Sequence, residues 1–170
     1  FVWFDRNRDG QQSAGEPAVV GVVVNLYGPD GVLVASKPTD ANGFYSFNNL
    51  IGGVTYTVEF VKPADTIFTS QNTGADATDS DADVTTGKVT VVAPVSGNNS
   101  LTAPDDPTID AGLVELVSVG DYVWWDINRD GLQDGTDVPA EGVVVHLLDS
   151  AGVEVGHADG DRPLIALRPL

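Results

Sequence analysis

The amino-acid sequence predicts an all-β fold: a complete β-sandwich followed by a truncated second copy of the same domain. Short runs of β-branched and aromatic residues recur between turns rich in Gly, Pro, Asn and Asp, as in sandwich folds. No window has the apolar spacing of an amphipathic helix. The sequence then restarts, because Phe1–Asp5 aligns with Tyr122–Asp126 and the match continues without a gap at an offset of 121 residues. The period is therefore a whole domain.

The first strands are predicted by local composition. Phe1–Phe4 is aromatic and β-branched and predicts a strand that ends at an acidic loop. Val20–Tyr27 and Val32–Ala35 flank the turn Gly28–Gly31, and this arrangement predicts a β-hairpin. Phe44–Phe47 follows an Asn-Gly turn and predicts a further strand.

The rest of the first repeat alternates strands with polar segments. Val54–Val61 alternates apolar and polar side chains, which is the period of a half-buried strand. Residues 72–87 are rich in Asp and poor in apolar residues. Lys88–Val92 and Ile109–Val114 predict two later strands, separated by a loop at residues 96–107.

These observations divide the chain into three parts. Residues 1–115 are predicted to form a complete repeat, residues 116–158 to begin a second one, and residues 159–170 to form an atypical, poorly ordered tail. The second repeat supplies about three strands, which is too few for an independent core. Completion by packing on the first repeat, pairing with another copy and marginal stability all remain open.

The loop after the first strand fits a calcium-binding pattern. Residues 5–16 match D-x-[DN]-x-[DN]-G-x5-E, in which alternate residues supply oxygens and Gly10 permits a sharp turn. Calcium takes six to eight oxygen ligands, and few short stretches of chain offer so many. The predicted ligands are the side chains of Asp5, Asn7, Asp9 and Glu16 and the backbone carbonyl of Gln11, with Ser13 placed to hold a water. The loop follows a strand, which separates it from a true EF-hand with two flanking helices.

The same spacing returns in the second copy. Gly131 takes the turn position and Asp134 the position that holds a water. The predicted ligands are Asp126, Asn128, Asp130, the carbonyl of Leu132 and Asp137. Two copies of so constrained a pattern argue against a chance match.

A purely structural turn is the alternative interpretation of both loops. Asp and Asn side chains bond their own backbone, and Gly tolerates positive φ. Against it stands the repulsion between carboxylates, which is about 4 kcal/mol for two charges 4 Å apart at an effective dielectric constant near 20. A divalent cation would convert that repulsion into attraction.

Composition excludes several classes of partner. The 170 residues include 25 acidic and 8 basic side chains, a formal net charge of −17, which disfavours nucleic acid and anionic lipid. Cysteine is absent, so neither a disulfide framework nor a thiolate metal site can form. No apolar run is long enough to predict membrane insertion.

At this point the motifs match a known family. Gly120–Asp134 and its first copy resemble the B-repeat (SdrD B-like) domains of Gram-positive Sdr-type surface adhesins, which are related to collagen-adhesin B-type domains. Thr39–Leu50, Asp79–Asp83 and Ile109–Leu113 support the resemblance. It implies an immunoglobulin-like or prealbumin-like β-sandwich stabilised by calcium. It also implies a second calcium region, which we assign to Asp79, Asp81 and Asp83.

The resemblance further implies a structural role outside the cell. Tandem copies in that family form a stalk that holds a ligand-binding head away from the cell wall. We therefore expect Ca²⁺ as the cofactor and neighbouring repeats as partners, with a host or cell-surface protein bound through the rest of the molecule. The expected location is extracellular, on a bacterial surface or secreted.

Three other functions compete with this interpretation. Catalysis is disfavoured, because the Asp residues lie in polar loops and His146 and His157 are not shared between the copies. An internal Lys–Asn isopeptide bond, as in related collagen-adhesin domains, is disfavoured because the first strand has no lysine. A carbohydrate- or protein-binding module is the alternative function, with Trp3, Trp124 and Trp125 as stacking platforms.

Overall fold

A computed structural model describes residues 1–95 and 105–159. The described residues contain strands and no helix. Most of the loop predicted at residues 96–107, and the tail from residue 160 onward, lie outside the described residues. The chain divides into two compact units, Phe1–Leu116 and Val117–Leu170.

The first unit is a two-sheet sandwich, and the prediction of an all-β sandwich is confirmed. One sheet has four strands in the order β3-β2-β4-β6, and the other has three in the order β1-β7-β5. The strands are β1 Val2–Phe4, β2 Val23–Tyr27, β3 Leu33–Pro38, β4 Thr55–Val61, β5 Thr66–Phe68, β6 Lys88–Val92 and β7 Ala111–Glu115.

The four-stranded sheet follows directly from the sequence pattern. In β4 the side chains of Tyr56, Val58 and Phe60 are buried, whereas the residues between them are less buried. The predicted hairpin is present, with Val24 opposite Lys37 in antiparallel register. Alternation of this kind places every second side chain of a strand in the core.

The three-stranded sheet brings the two ends of the repeat together. β1 pairs with β7 in parallel, with Val2 opposite Ala111 and Phe4 opposite Leu113. β5 pairs with the other edge of β7. β7 is therefore the central strand, and its first four residues are all buried. Between the sheets lies one core, formed by Val2, Val19, Val22, Val24, Leu26, Tyr56, Val58, Phe60, Phe68, Ala82, Ala93, Ala111 and Leu113.

One predicted strand is wrong, and one strand has no signal in the sequence. Phe44–Phe47 has no regular strand structure. It is fixed by side chains instead, because the Tyr45 hydroxyl donates to the Ile109 carbonyl at 2.8 Å and Tyr45 and Phe47 pack against the core. β5 is not predicted, because three residues are too few to show a period.

The second unit contains two short antiparallel pairs. β8 (Trp124–Trp125) pairs with β9 (Val138–Pro139), and β10 (Val144–Leu148) pairs with β11 (Glu154–Asp159). All side chains of β10 are exposed. Among the described residues, no helix is long and apolar enough to cross a membrane.

Gly43 provides a test of the packing between the loop and β1. Its φ is +79°, and a Cβ atom there would lie 2.5 Å from the Val2 carbonyl oxygen. Gly31 has a similar φ of +76° but nothing within 4 Å. We expect Gly31→Ala to lower the free energy of unfolding by about 1 kcal/mol and Gly43→Ala by about 3 kcal/mol or more. Urea denaturation measures both, and equal losses would contradict the predicted clash.

Candidate metal centre

The first acidic loop leaves β1 at a buried carboxylate. Asp5 is only 2 % exposed. Arg8 and Gly10 have left-handed backbone conformations, with φ of 61° and 77°, and they curl the chain back over the Asp5 side chain. Gly10 is also confined by its surroundings, since a Cβ there would lie 2.7 Å from the Ser70 carbonyl oxygen.

The Asp5 carboxylate organises the turn. Its Oδ1 accepts a hydrogen bond from the Arg8 amide at 2.6 Å, and its Oδ2 accepts one from the Gly10 amide at 2.8 Å. The Thr69 hydroxyl donates to the same Oδ2 at 2.5 Å. These donors come from both ends of the turn and from the segment after β5, so they fix the carboxylate at the centre of the loop.

The other side chains predicted as ligands of the loop bond to its amides or to each other. The Glu16 carboxylate reaches back across the loop and accepts from the Arg6 and Ser13 amides, both at 2.8 Å. Asn7 donates from Nδ2 to Asp9 Oδ2 at 2.8 Å. The pattern therefore folds as a closed loop with both ends tied by carboxylates.

The loop packs against the Asp-rich segment that the sequence places about 70 residues later. Gln11 forms an isolated antiparallel bridge with Asp79. The Gln12 amide donates to the Thr78 carbonyl at 2.6 Å, and the Ser80 amide donates to the Gly10 carbonyl at 3.1 Å. The two regions predicted to bind calcium are therefore adjacent in the fold.

Three carboxylates of that segment form a cluster. Asp76, Asp79 and Asp81 each place one oxygen within 4.8 Å of the others. Asp79 is 4 % exposed, and its Oδ1 has no hydrogen-bond partner among the described residues, although its Oδ2 accepts from the Gly74 amide at 3.0 Å. A buried carboxylate oxygen without a partner is costly. A bound cation would remove that cost.

Burial makes the charge of this cluster expensive. Desolvation raises the pKa of Asp81 to about 6, even though the Asp110 amide donates to its carboxylate. Burial also raises the pKa of the neighbouring Asp110. Burial therefore disfavours the charged form of both carboxyl groups, and at Asp110 the Phe1 ammonium, 2.8 Å away, partly offsets this effect.

The structure places Asp83 outside this cluster. Its carboxylate accepts from the Thr86 amide at 2.7 Å and from the Thr86 hydroxyl at 2.8 Å. The Thr86 amide hydrogen bond is the main cause of its lowered pKa. Of the predicted trio, Asp79 and Asp81 lie together, and Asp76 completes the group. The D-S-D-A-D motif spans Asp79–Asp83 and therefore does not include Asp76.

The second loop has the same local geometry as the first. Arg129 and Gly131 have φ of 63° and 78°. Asp126 accepts from both of their amides, at 2.5 and 2.9 Å. Asp137 accepts from the Ile127 and Asp134 amides, each at 3.0 Å, as Glu16 does in the first copy.

The surroundings of the two loops differ. A Cβ atom added at Gly131 would meet nothing within 4 Å, whereas Gly10 is enclosed. Leu132, which corresponds to Gln11, is 67 % exposed. Asn128 Nδ2 donates to Asp130 Oδ2 at 2.9 Å, and both of these side chains are exposed.

The donor set fits a hard divalent cation. Both loops and the cluster offer carboxylate, amide and carbonyl oxygens, and the sequence has no cysteine. Oxygen-only sets suit calcium rather than softer metals. The oxygen of Asp79 that has no partner supports this fit.

Comparison with known proteins identifies the family. The protein-family model described as the SdrD B-like domain matches residues 1–113 and 117–162. The chain belongs to the SdrD B-like domain family. It is similar to the serine-aspartate repeat-containing protein C of Staphylococcus aureus strains Newman, USA300 and COL, with 39 % identity over 165 residues. The match covers 95 % of this chain and 16 % of each relative, so the chain spans about a sixth of their length.

The aromatic and lysine side chains bear on the other functions. Trp3 is fully buried, whereas Trp125 is 63 % exposed, so only the second copy offers an open tryptophan face. The lysine amines have other partners: Lys37 donates to the Ser46 carbonyl, Lys62 to the Thr66 carbonyl, and Lys88 lies 3.5 Å from Glu59.

The raised pKa of Asp81 predicts how the metal-free protein responds to pH. Asp81 is protonated in both states below about pH 4. Between that pH and about 6 the folded state alone keeps the proton, so stability falls as pH rises through this window. Urea denaturation in excess EGTA measures the fall, and Asp81→Asn should flatten it. The same slope in the variant would contradict this assignment.

Proposed function

We propose that this chain is a calcium-stabilised structural repeat, a spacer in the stalk of a bacterial cell-surface adhesin. The observation that carries the proposal is the contact between the first loop and the buried acidic cluster, where Gln11 pairs with Asp79. Membership of the SdrD B-like family supports the extracellular setting. The neighbouring repeats of the same chain are the proposed partners, and the rest of the molecule would contact a host or cell-surface protein.

The loop residues would hold one ion. Asp5, Asn7, Asp9 and Glu16 present side-chain oxygens, and hydrogen bonds within the loop hold these side chains in place. Bound calcium supplies positive charge to these carboxylates. Because Asp5 also accepts from Thr69, the loop is tied to the segment that follows β5.

The acidic cluster would hold a second ion. Asp76, Asp79 and Asp81 come from the segment that connects β5 to β6. Asp81 accepts from the Asp110 amide at 2.6 Å, directly before β7. Neutralising the cluster would therefore stabilise the junction between an acidic loop and the central strand of the smaller sheet.

A repeat stapled in this way suits a mechanical role. β1 and β7, which carry the two ends of the repeat, pair in parallel, and the candidate sites lie against that pair. The stabilisation follows mass action, with about 2.7 kcal/mol at free calcium a hundredfold above Kd. Extracellular calcium sites are often weak, so occupancy would set the stiffness of the stalk.

A carbohydrate- or protein-binding module remains the second candidate, favoured by the exposed Trp125. Its ring is open to solvent on a short strand, as in aromatic binding platforms. It predicts ligand-dependent quenching of tryptophan fluorescence that Trp125→Ala abolishes, whether or not calcium is present.

The calcium proposal predicts a shift in thermal stability. Millimolar calcium should raise the Tm of the first unit within the intact chain by about 10 °C relative to excess EGTA. Asp9→Ala should lose much of that shift, since Asp9 is a predicted ligand of the loop. Differential scanning calorimetry measures both. An equal Tm with and without calcium would show that the loops are purely structural turns.

A matched pair of variants tests the acidic cluster. Asp79→Asn should stabilise the metal-free protein, by about 1 kcal/mol, because it removes one of three crowded charges, and should weaken the calcium effect. Asp83→Asn should lower metal-free stability slightly, since its carboxylate caps a turn, and leave the calcium effect intact. Identical calcium responses in the two variants would exclude the cluster as a site.

A further inference from the structure

The hairpin of the second copy carries a feature that the calcium sites do not use. His146 on β10 and His157 on β11 lie directly opposite each other in antiparallel register. Both side chains are about half exposed, and their ring centres are 6.0 Å apart. These are the only two histidines of the chain, yet they form a cross-strand pair.

A β-bulge places a carboxylate on the same face. Leu148 pairs with Glu154 because one extra residue interrupts the register after Leu147. Leu148 is two residues from His146 and therefore lies on the same face of β10. Because the bulge pairs Glu154 with Leu148, Glu154 lies on the face that carries the two imidazoles. Glu154 Oε2 lies 2.9 Å from His146 Nδ1, and Oε1 lies 3.1 Å from His157 Nδ1.

This arrangement prepares both rings for a metal. An Nδ1–H that donates to a carboxylate leaves the lone pair of the neutral imidazole on Nε2, as in metal sites where a carboxylate orients a histidine ligand. Both Nδ1 atoms lie within hydrogen-bond distance of the Glu154 carboxylate, so one carboxylate can orient both rings in the tautomer that leaves Nε2 free.

We propose that His146 and His157 bind a borderline divalent transition-metal ion, with Zn²⁺ as the reference ion, through their Nε2 atoms. Glu154 is a positioning residue that orients both rings. A tetrahedral zinc ion about 2.0–2.1 Å from each nitrogen requires the two Nε2 atoms to lie about 3.4 Å apart, so the half-exposed rings, whose centres are 6.0 Å apart, need to approach and turn toward each other. Water completes the coordination. Imidazole nitrogens suit zinc and copper, whereas calcium prefers oxygen, so this site is independent of the proposed calcium sites.

The first copy supplies a matched control within the same chain. Its hairpin has the same register and the same bulge, after Leu26. Asn25 and Ser36 stand in the positions of His146 and His157, and Leu33 stands in that of Glu154. The shared scaffold therefore carries the metal-binding groups only in the second copy.

The test is a zinc titration of the whole chain in excess calcium, so that zinc does not compete for the proposed oxygen sites. Imidazole nitrogen NMR should show zinc on Nε2 and a proton on Nδ1 of both rings. The substitutions His146→Asn and His157→Ser together should lower zinc affinity at least about 100-fold, and Glu154→Gln about 10-fold. Unchanged imidazole signals, or equal affinity in the double variant, would overturn the proposal.

Amide hydrogen exchange guards against loss of the hairpin in the variants. Zinc should slow exchange at β10 and β11 in the wild-type chain, because metal binding to an ordered site adds to its stability. The double variant should show no such protection, and its exchange without zinc should match the wild-type rate. Zinc binding without protection would show that the histidines bind as a flexible pair, which would also overturn the proposed hairpin site.

Discussion

The complete repeat depends on how buried carboxylates are accommodated beside the pairing of β1 with β7. Asp5 directly follows β1, and Asp110 directly precedes β7. These two side chains, and those of Asp79 and Asp81 nearby, are almost fully buried. Within the part of the chain that the structure describes, hydrogen bonds satisfy both oxygens of Asp5 but leave one oxygen of Asp79 without a partner. Like charges in a poorly solvated region raise the free energy of the folded state. The fold therefore keeps an energetic cost where the two ends of the repeat meet, and a cation is the simplest means of removing it.

Local pattern was enough to predict most strands and the first residues of each acidic loop. Alternation in β4 and the turn between β2 and β3 are properties of adjacent residues, and they appear as predicted. The prediction of a strand at Phe44–Phe47 was wrong, because the apolar side chains of this segment pack over the core without regular strand pairing. Composition indicates that a segment is buried, but it does not indicate whether the backbone amides pair with a neighbouring strand.

The membership of the acidic cluster depends on contacts between distant segments. Asp76, Asp79 and Asp81 converge because the segment that connects β5 to β6 turns at Asn72 and packs on the loop near Gly10. The alternating spacing suggested Asp83 as well, but Asp83 faces Thr86. Residues two apart share a face only in an extended strand, and this segment is not one. The spacing therefore identified the acidic region but not which of its carboxylates lie together.

The two copies separate what local sequence determines from what needs the whole domain. Both acidic loops have the same backbone turn and the same carboxylate-to-amide hydrogen bonds, so a dozen residues suffice for the loop.

The hairpins of the two copies differ in burial: Val24 is fully buried, whereas its counterpart Val145 is 51 % exposed. In the first copy β4 pairs with β2 and extends the sheet that covers the core, whereas β10 pairs with β11 alone among the described strands. A hairpin without a third strand gains little from apolar burial, so cross-links from side chains contribute more to its stability than they would in the complete repeat. The His146–Glu154–His157 group lies on this hairpin and not on its buried counterpart, which is where a metal staple would have the larger effect.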